Sequence, residues 1–341
     1  MTSNLDSREV IKKLHITDRS ATIKNVLDLV IFFVFGGVAI FFWKTAMWPI
    51  SVLAWLTAGH FGHSKPLMFH DAAHGTLHSS KRMNEIVGFG IGTLILVPMT
   101  VYRHAHSMHH AYLSTRRDPE LWPFTIPEVP RWQRLVAAAV EIVFGFLYTP
   151  FLMLLSLRSA TGLPRRDKIR IALEYLACAA LWSLFLIAAT ITQTWEYFLV
   201  GYIAPVAVAG MYQTLNKYTE HLGLTGDSIL SNTRTVAADS TAGQIFSYTL
   251  QHVDHHGTHH RFAKIPYYNL PQATPIVYEQ ESGPLYRNYW SAFFDMVRCL
   301  PDPKAGFQWR EHEAFVANSA RTGRVLQEVP QHGIPMSRAS G

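Results

Sequence analysis

The chain of 341 residues is poor in cysteine and poor in charge. Its two cysteines, Cys178 and Cys299, lie far apart and form no C-x-x-C pair, which removes a disulfide framework, a rubredoxin-type iron site and an Fe–S cluster from consideration. Charged residues make up 16% of the chain and hydrophobic ones 49%, whereas an ordinary soluble domain is about a quarter charged. The composition is that of a membrane protein. No Ser/Gly-rich linker, repeat or low-complexity run divides the sequence, so residues 1–341 read as a single domain. No basic stripe with interleaved aromatics occurs either, so the net charge of +6 and pI near 9.3 point to lipid headgroups and to no nucleic acid. An H-P-G-G haem-binding signature is missing, and the residues after Pro301 are too few for a fused ferredoxin reductase.

Residues 1–25 mix Arg8, Lys12, Lys13, Arg19 and Lys24 with Asp6, Glu9 and Asp18. They lack the early apolar run and small-residue cleavage site of a secretory signal, and are expected to stay as a cytoplasmic N-terminal segment. Residues 26–47 are almost wholly apolar and long enough to span a bilayer. Residues 50–69 run back after Pro49, making a hairpin with its connection around Trp48 on the far side. Further apolar stretches cover 86–102, 135–157, 171–191 and 195–215.

What the chain does have is histidine in clusters: His70 and His74; His106, His109 and His110; His252, His255 and His256, with His259 and His260 close behind. Residues at i, i+3 and i+4 share one helix face, so each cluster is able to aim its imidazoles at one spot, as metal ligands require. Eight imidazoles exceed the three or four that one zinc takes, so two metals are implied. Iron suits nitrogen ligands with positions left open for oxygen chemistry. Asp71 and Asp254 sit inside clusters, where a carboxylate accepts the second imidazole N–H. Glu220-His221 repeats the pairing and makes His221 a ninth ligand.

A shared centre requires an even number of crossings between any two clusters. Residues 86–102, rich in glycine and ending near Pro98, should therefore not cross, and residues 135–157, with Glu141, Gly145 and Pro150 and basic flanks at Arg131, Arg134 and Arg158, are read as an interfacial helix. Four transmembrane helices remain, 26–47, 50–69, 171–191 and 195–215, with a cytoplasmic helical cap carrying the histidines. The loops near Trp48 and Thr192–Trp195 hold no Lys or Arg, so the histidines and both termini, including the tail at 300–341, are expected on the cytoplasmic side.

These residues resemble the membrane fatty acid desaturases and their hydroxylase relatives. HDAAHGTLHSSKRMNEIVG at 70–88 is similar to the first box of that family, YRHAHSMHHAYLSTRRDPEL at 102–121 to the second with its trailing D-P-E-L, and KYTEHLGL at 217–224, NTRT at 232–235 and IPYYNLP at 265–271 to the surroundings of the third. The resemblance covers roughly residues 50–275. It implies a four-helix membrane fold, a cytoplasmic di-iron centre of two Fe2+ ions, O2 as co-substrate, and attack on an unactivated C–H bond of a lipid chain. It also implies electrons from a separate ferredoxin, rubredoxin or cytochrome b5 type donor, attracted electrostatically to Arg116, Arg117, Arg165 and Arg166.

The third box departs from the family pattern, and two frames fit it: His252/His255/His256, which keeps an acid before the pair, and His256/His259/His260, which keeps the spacing to Ile265-Pro266. The first is preferred for its Asp254, so the expected ligands are His70, His74, His106, His109, His110, His221, His252, His255 and His256. His104, His78, His60 and His63 are read as supporting or structural. The expected activity is desaturation of an acyl-lipid or acyl-CoA chain. The alternative is hydroxylation or ketolation of alkanes, sterols or carotenoids, and a metal transporter, which would place ionisable groups along a pathway at mid-membrane depth, fits poorly.

Overall fold

The computed structural model describes residues 2–16, 21–157 and 162–322; Arg19, Arg158 and residues 323–341 of the expected tail lie outside them. The helices in chain order are α1 (Thr2–Leu14), α2 (Ala21–Lys44), α3 (Trp48–Gly62), α4 (Ser64–His74), α5 (Lys81–Leu94), α6 (Met99–Ala111), α7 (Arg131–Ser156), α8 (Arg165–Ile191), α9 (Trp195–Phe198), α10 (Ala204–His221), α11 (Thr241–Thr249), α12 (His256–Arg261), α13 (Leu270–Gln280), α14 (Tyr289–Cys299) and α15 (Gln308–Thr322). A π-helical turn, Leu199–Ile203, joins α9 to α10 without a break. Among the described residues the only sheet is a parallel pair of two-residue strands, β1 (Thr235–Val236) and β2 (Leu285–Tyr286).

The expected hairpin forms: α2 and α3 pack along one another, and α10 lies against α3 and α7. Glycines allow the close crossings. A Cβ at Gly36 would stand 2.5 Å from the carbonyl oxygen of Gly201, and one at Gly145 would stand 2.5 Å from that of Gly210, so these helices meet backbone to backbone. At one end of the bundle Glu196 accepts a hydrogen bond from the Trp43 indole N–H at 2.9 Å and pairs with Lys44. The two connections expected on the far side therefore lie together.

Among the described residues four helices are long and apolar enough to cross a membrane, namely Ile23–Lys44, Arg131–Ser156, Arg165–Ile191 and Trp195–His221. Their outward side chains fit that reading: Leu27, Phe33, Phe41, Leu173, Leu176 and Leu184 are all exposed. By length and apolarity three of them cover expected spans, and the fourth, Arg131–Ser156, is the helix expected at the interface. Residues 50–69 are divided at His63 into α3 and α4, each shorter than a span, whereas Arg131–Ser156 is one helix of 26 residues. The basic flank that suggested an interfacial position for it is partly used up internally: the Arg134 guanidinium is buried, donates to the Pro303 carbonyl at 2.9 Å and contacts Asp302. That helix is bent at Phe144, which leaves helical geometry. Its C-terminal half, Tyr148, Leu152 and Met153, packs with Met99, Val101 and Ala105 of α6 and with Ile171 of α8. Residues 86–102 do not form one straight span: α5 and α6 meet at 99° around Pro98. This cluster, joined by Phe69 and Ala72 of α4, backs the helices that carry the first two histidine groups.

Candidate metal centre and its cavity

Each histidine is placed by a local rule. His70 and His74 are one turn apart on α4, which stops at once because Gly75 takes a left-handed φ of 77° and its N–H and that of Thr76 close back on Ala72 and Asp71. His106, His109 and His110 share a face of α6. His221 is the last residue of α10. His256 opens α12, so His256, His259 and His260 fall at i, i+3 and i+4 of a real helix.

Nine imidazoles converge in two groups. His70, His74, His106, His110 and His259 form one, His109, His221, His256 and His260 the other, and within each group the ligand atoms lie within 4.8 Å of one another. Seven of the nine expected residues are present. His252 and His255 are not brought there, and His259 and His260 stand in their place. The preferred frame assumed helical spacing through 252–256, but Gln251 and His252 both adopt left-handed φ, 53° and 50°, and the chain turns before α12 begins. His252 instead bonds through Nδ1 to Ser247 at 2.8 Å, and His255 to Thr274 at 2.8 Å; with Asp254 they make a separate small group.

The second ring nitrogens decide the protonation. His106 Nδ1 donates to Glu120 at 2.8 Å, His109 Nδ1 to Asp118 at 2.9 Å, His70 Nδ1 to Asp71 at 3.2 Å and His221 Nδ1 to the Asn232 carbonyl at 3.1 Å. His256 Nδ1 stands 3.3 Å from Glu220, an ion-pair distance without hydrogen-bond geometry. Carboxylates and carbonyls only accept, so the Nδ1 atoms of His70, His106, His109 and His221 carry the protons and their Nε2 atoms present lone pairs. Yet the Nε2 atoms face one another: His70 to His259 at 3.0 Å, His74 to His106 at 3.0 Å, His106 to His110 at 3.1 Å, His221 to His256 at 2.8 Å and His256 to His260 at 2.9 Å. Rings whose Nδ1 already donates offer only a lone pair at Nε2, and nitrogen donors gathered this closely fit a pair of bound metals.

The electrostatics agree. Burial, reinforced by neighbouring imidazoles, holds His74, His110, His256, His259 and His260 well below the usual histidine range, so they remain neutral. His106 is lowered to about 4, chiefly by burial. Burial also pulls His109 down, but the charges of Asp118 and Glu120 outweigh it and raise the group overall. Glu120 moves the other way: burial alone would raise it, and the imidazoles of His106 and His109 hold it far below the usual carboxylate range.

Asp118 and Glu120 are the residues that reasoning from the histidine clusters passed over, although they are the acids of D-P-E-L, which marked them. Asp71 fills its expected place, whereas Asp254 accepts from Ser247 at 2.7 Å and does not touch the nine histidines. His104 stays outside both groups, and the His78 ring caps a turn by accepting the Ser80 N–H at 2.8 Å. His60 bonds to Thr249 at 2.9 Å and His63 to Gln213 at 2.6 Å.

Both groups open onto an apolar cavity of about 400 Å³, the size of a small-molecule site. His70, His106, His109, His221 and His256 line its metal end; Phe69, Leu96, Phe146, Leu152, Trp182 and Tyr202 line the rest. From Tyr202 in the π-helical turn to His221 at the end of α10, the lining runs ~28 Å along the axis at 1.5 Å per residue. The space suits a long chain laid past the histidines.

Comparison with known proteins points the same way. The family described as fatty acid desaturase matches residues 46–293. A fatty acid desaturase of Bacillus subtilis (strain 168) is 24% identical over 227 residues, 61% of this chain and 62% of that one. An oleoyl-12-hydroxylase of Ricinus communis is 22% identical over 328 residues, 83% of each chain, and an sn-1 acyl-lipid omega-3 desaturase (ferredoxin) of a Synechocystis strain is 25% identical over 279 residues, 72% of this chain and 76% of that one. With four apolar helices, three histidine boxes folded into one buried donor set and a family match over most of its length, the chain is an oxidoreductase of the fatty acid desaturase family.

Proposed function

We propose that this protein introduces a double bond into the acyl chain of a membrane lipid or thioester, at a di-iron centre held by His70, His74, His106, His110 and His259 on one side and His109, His221, His256 and His260 on the other. The observation that carries this reading is the apolar cavity whose wall includes the metal-facing histidines. Iron bound there would supply, with dioxygen and electrons from a separate donor, the oxidising power to break an unactivated C–H bond. The protein's own part is placement and dryness. Phe69, Leu152 and Trp182 exclude water and fix the chain, while Asp118 and Glu120 keep the protons of His109 and His106 on Nδ1 and so aim Nε2 inward.

The histidine ends of the helices face the cytoplasm in this reading, with both termini, because the loops at the Trp43–Glu196 end lack Lys and Arg apart from the bordering Lys44. A donor of ferredoxin, rubredoxin or cytochrome b5 type docks on that face, where Arg116, Arg117, Arg165 and Arg166 are exposed. Expression in a host with saturated lipids should yield new monounsaturated chains, seen by mass spectrometry of fatty acid methyl esters. The similarity to the Ricinus hydroxylase, over 83% of each chain, favours a second outcome, return of oxygen to the carbon, and new hydroxy or keto products with an unchanged alkene profile would select it.

A further inference from the structure

Lys65 is 6% exposed, lines the cavity, and its ammonium finds no hydrogen-bond partner. It lies over the face of Phe32, 3.1 Å from the ring centroid, which cradles the charge but leaves the N–H donors unmet. Other charged groups in the wall have partners: Lys217 pairs with Glu141, and Glu120 accepts from His106. A second donor lines the same cavity. The Gln213 side-chain oxygen accepts from the buried His63 imidazole at 2.6 Å, so its NH2 is left to point elsewhere. Lys65 lies five residues before His70 on α4 and Gln213 eight before His221 on α10, ~7.5 and ~12 Å along their helices. The largely apolar wall thus holds, besides its paired charged groups, an ammonium without an acceptor at a set distance from the histidines. An unpaired ammonium at such a place is costly unless a ligand completes it.

We propose that Lys65, assisted by Gln213, is a polar subsite that binds an acceptor oxygen of the acyl substrate, its carboxylate or ester carbonyl, and so sets which methylene lies against the metal centre. This rests on the acyl-chain reading above. It excludes a cationic group at that point of the substrate.

The test is equilibrium binding of radiolabelled palmitic acid, methyl palmitate and hexadecane to the full-length iron-loaded protein in detergent, for wild type, Lys65→Met, Lys65→Arg and Gln213→Leu. Lys65→Met should weaken palmitate and ester binding about tenfold or more and leave hexadecane unchanged; Lys65→Arg should restore much of the loss, and Gln213→Leu should give a smaller one. Preference for palmitate over its ester in the wild type identifies the carboxylate as the ligand; equal binding identifies the carbonyl. A Lys65→Met protein that binds palmitate as wild type does, or loses hexadecane equally, overturns the subsite. Lysine-dependent palmitate binding without any desaturation would sink the desaturase reading and leave the subsite standing, whereas a wild type that binds none of the three probes refutes both.

Discussion

Asp118→Asn isolates what a carboxylate behind a histidine contributes to the metal site. Asp118 is 2% exposed; both its oxygens stand 2.9 Å from His109 Nδ1, Oδ2 accepts the Ser114 N–H at 2.8 Å and Oδ1 the Glu120 N–H at 3.0 Å. Asparagine keeps the volume but offers one acceptor, so whichever way the amide turns, a backbone N–H faces an NH2 group. The charge behind His109 is lost as well. A hydrogen bond to a charged group contributes about 1.5–3 kcal/mol, and removal of such a partner typically lowers metal affinity about 10- to 100-fold, which is ~1.4–2.8 kcal/mol at ~1.4 kcal/mol per decade. The two routes agree, and both fall short of a typical folding stability of about 5–15 kcal/mol, so the helices should persist. Purified protein loaded with iron would be titrated with chelator, residual iron read by plasma mass spectrometry and helicity by circular dichroism. The variant should release one of its two irons at about one to two decades lower chelator concentration, giving a biphasic curve with unchanged helicity. Release indistinguishable from wild type would refute the role of Asp118, and simultaneous early loss of both irons would refute the division into two groups.

Further outcomes follow from the same geometry. His259→Ala and His260→Ala should each lower bound iron and abolish turnover, while His252→Ala and His255→Ala keep two irons; the reverse pattern would restore the other frame. Gly145→Val pushes a side chain into the Gly210 carbonyl and should destabilise the α7–α10 contact by about 1–3 kcal/mol, measured by SDS-induced unfolding in mixed micelles; no shift would mean the helices part freely there. Cysteines placed at the exposed Ser107 and Thr241 should label from one side of the membrane and a cysteine at Thr192 from the other; Ser107 and Thr241 on opposite sides would break the shared centre. Turnover should require an added electron donor and fall as ionic strength rises, and salt-independent turnover would remove the arginine face from donor docking.

The parts of this site that can be read from sequence are those governed by helix periodicity. His70/His74 and His106/His109/His110 sit on helices as their spacing demands, and Gly75 marks where α4 stops. The third group misleads because two overlapping frames satisfy the same spacing, and the turn that separates them uses Gln251 and His252 in left-handed conformations, with no glycine to announce it. The break within residues 50–69 is legible in the sequence: Gly62 ends α3 and Pro66 falls in the first turn of α4, on either side of His63. Asp118 and Glu120 were visible as a motif but not as partners of particular rings, since that pairing depends on how the 112–121 segment folds back over α6. Lys65 looks like an ordinary flank to the first box until Phe32 and the cavity are placed around it.

The nine histidines are drawn from α4, α6, the end of α10 and α12, spread over nearly 200 positions from His70 to His260. No early segment of the nascent chain contains a complete donor set, and the five-histidine group lacks His259 until α12 has emerged from the ribosome. In the di-iron reading, metal capture would follow the synthesis of α12, and a chain cut before His256 would keep only six of the nine imidazoles. Metal binding of that kind would stabilise only the completed chain, so the yield of folded protein would rise with the iron supplied during expression.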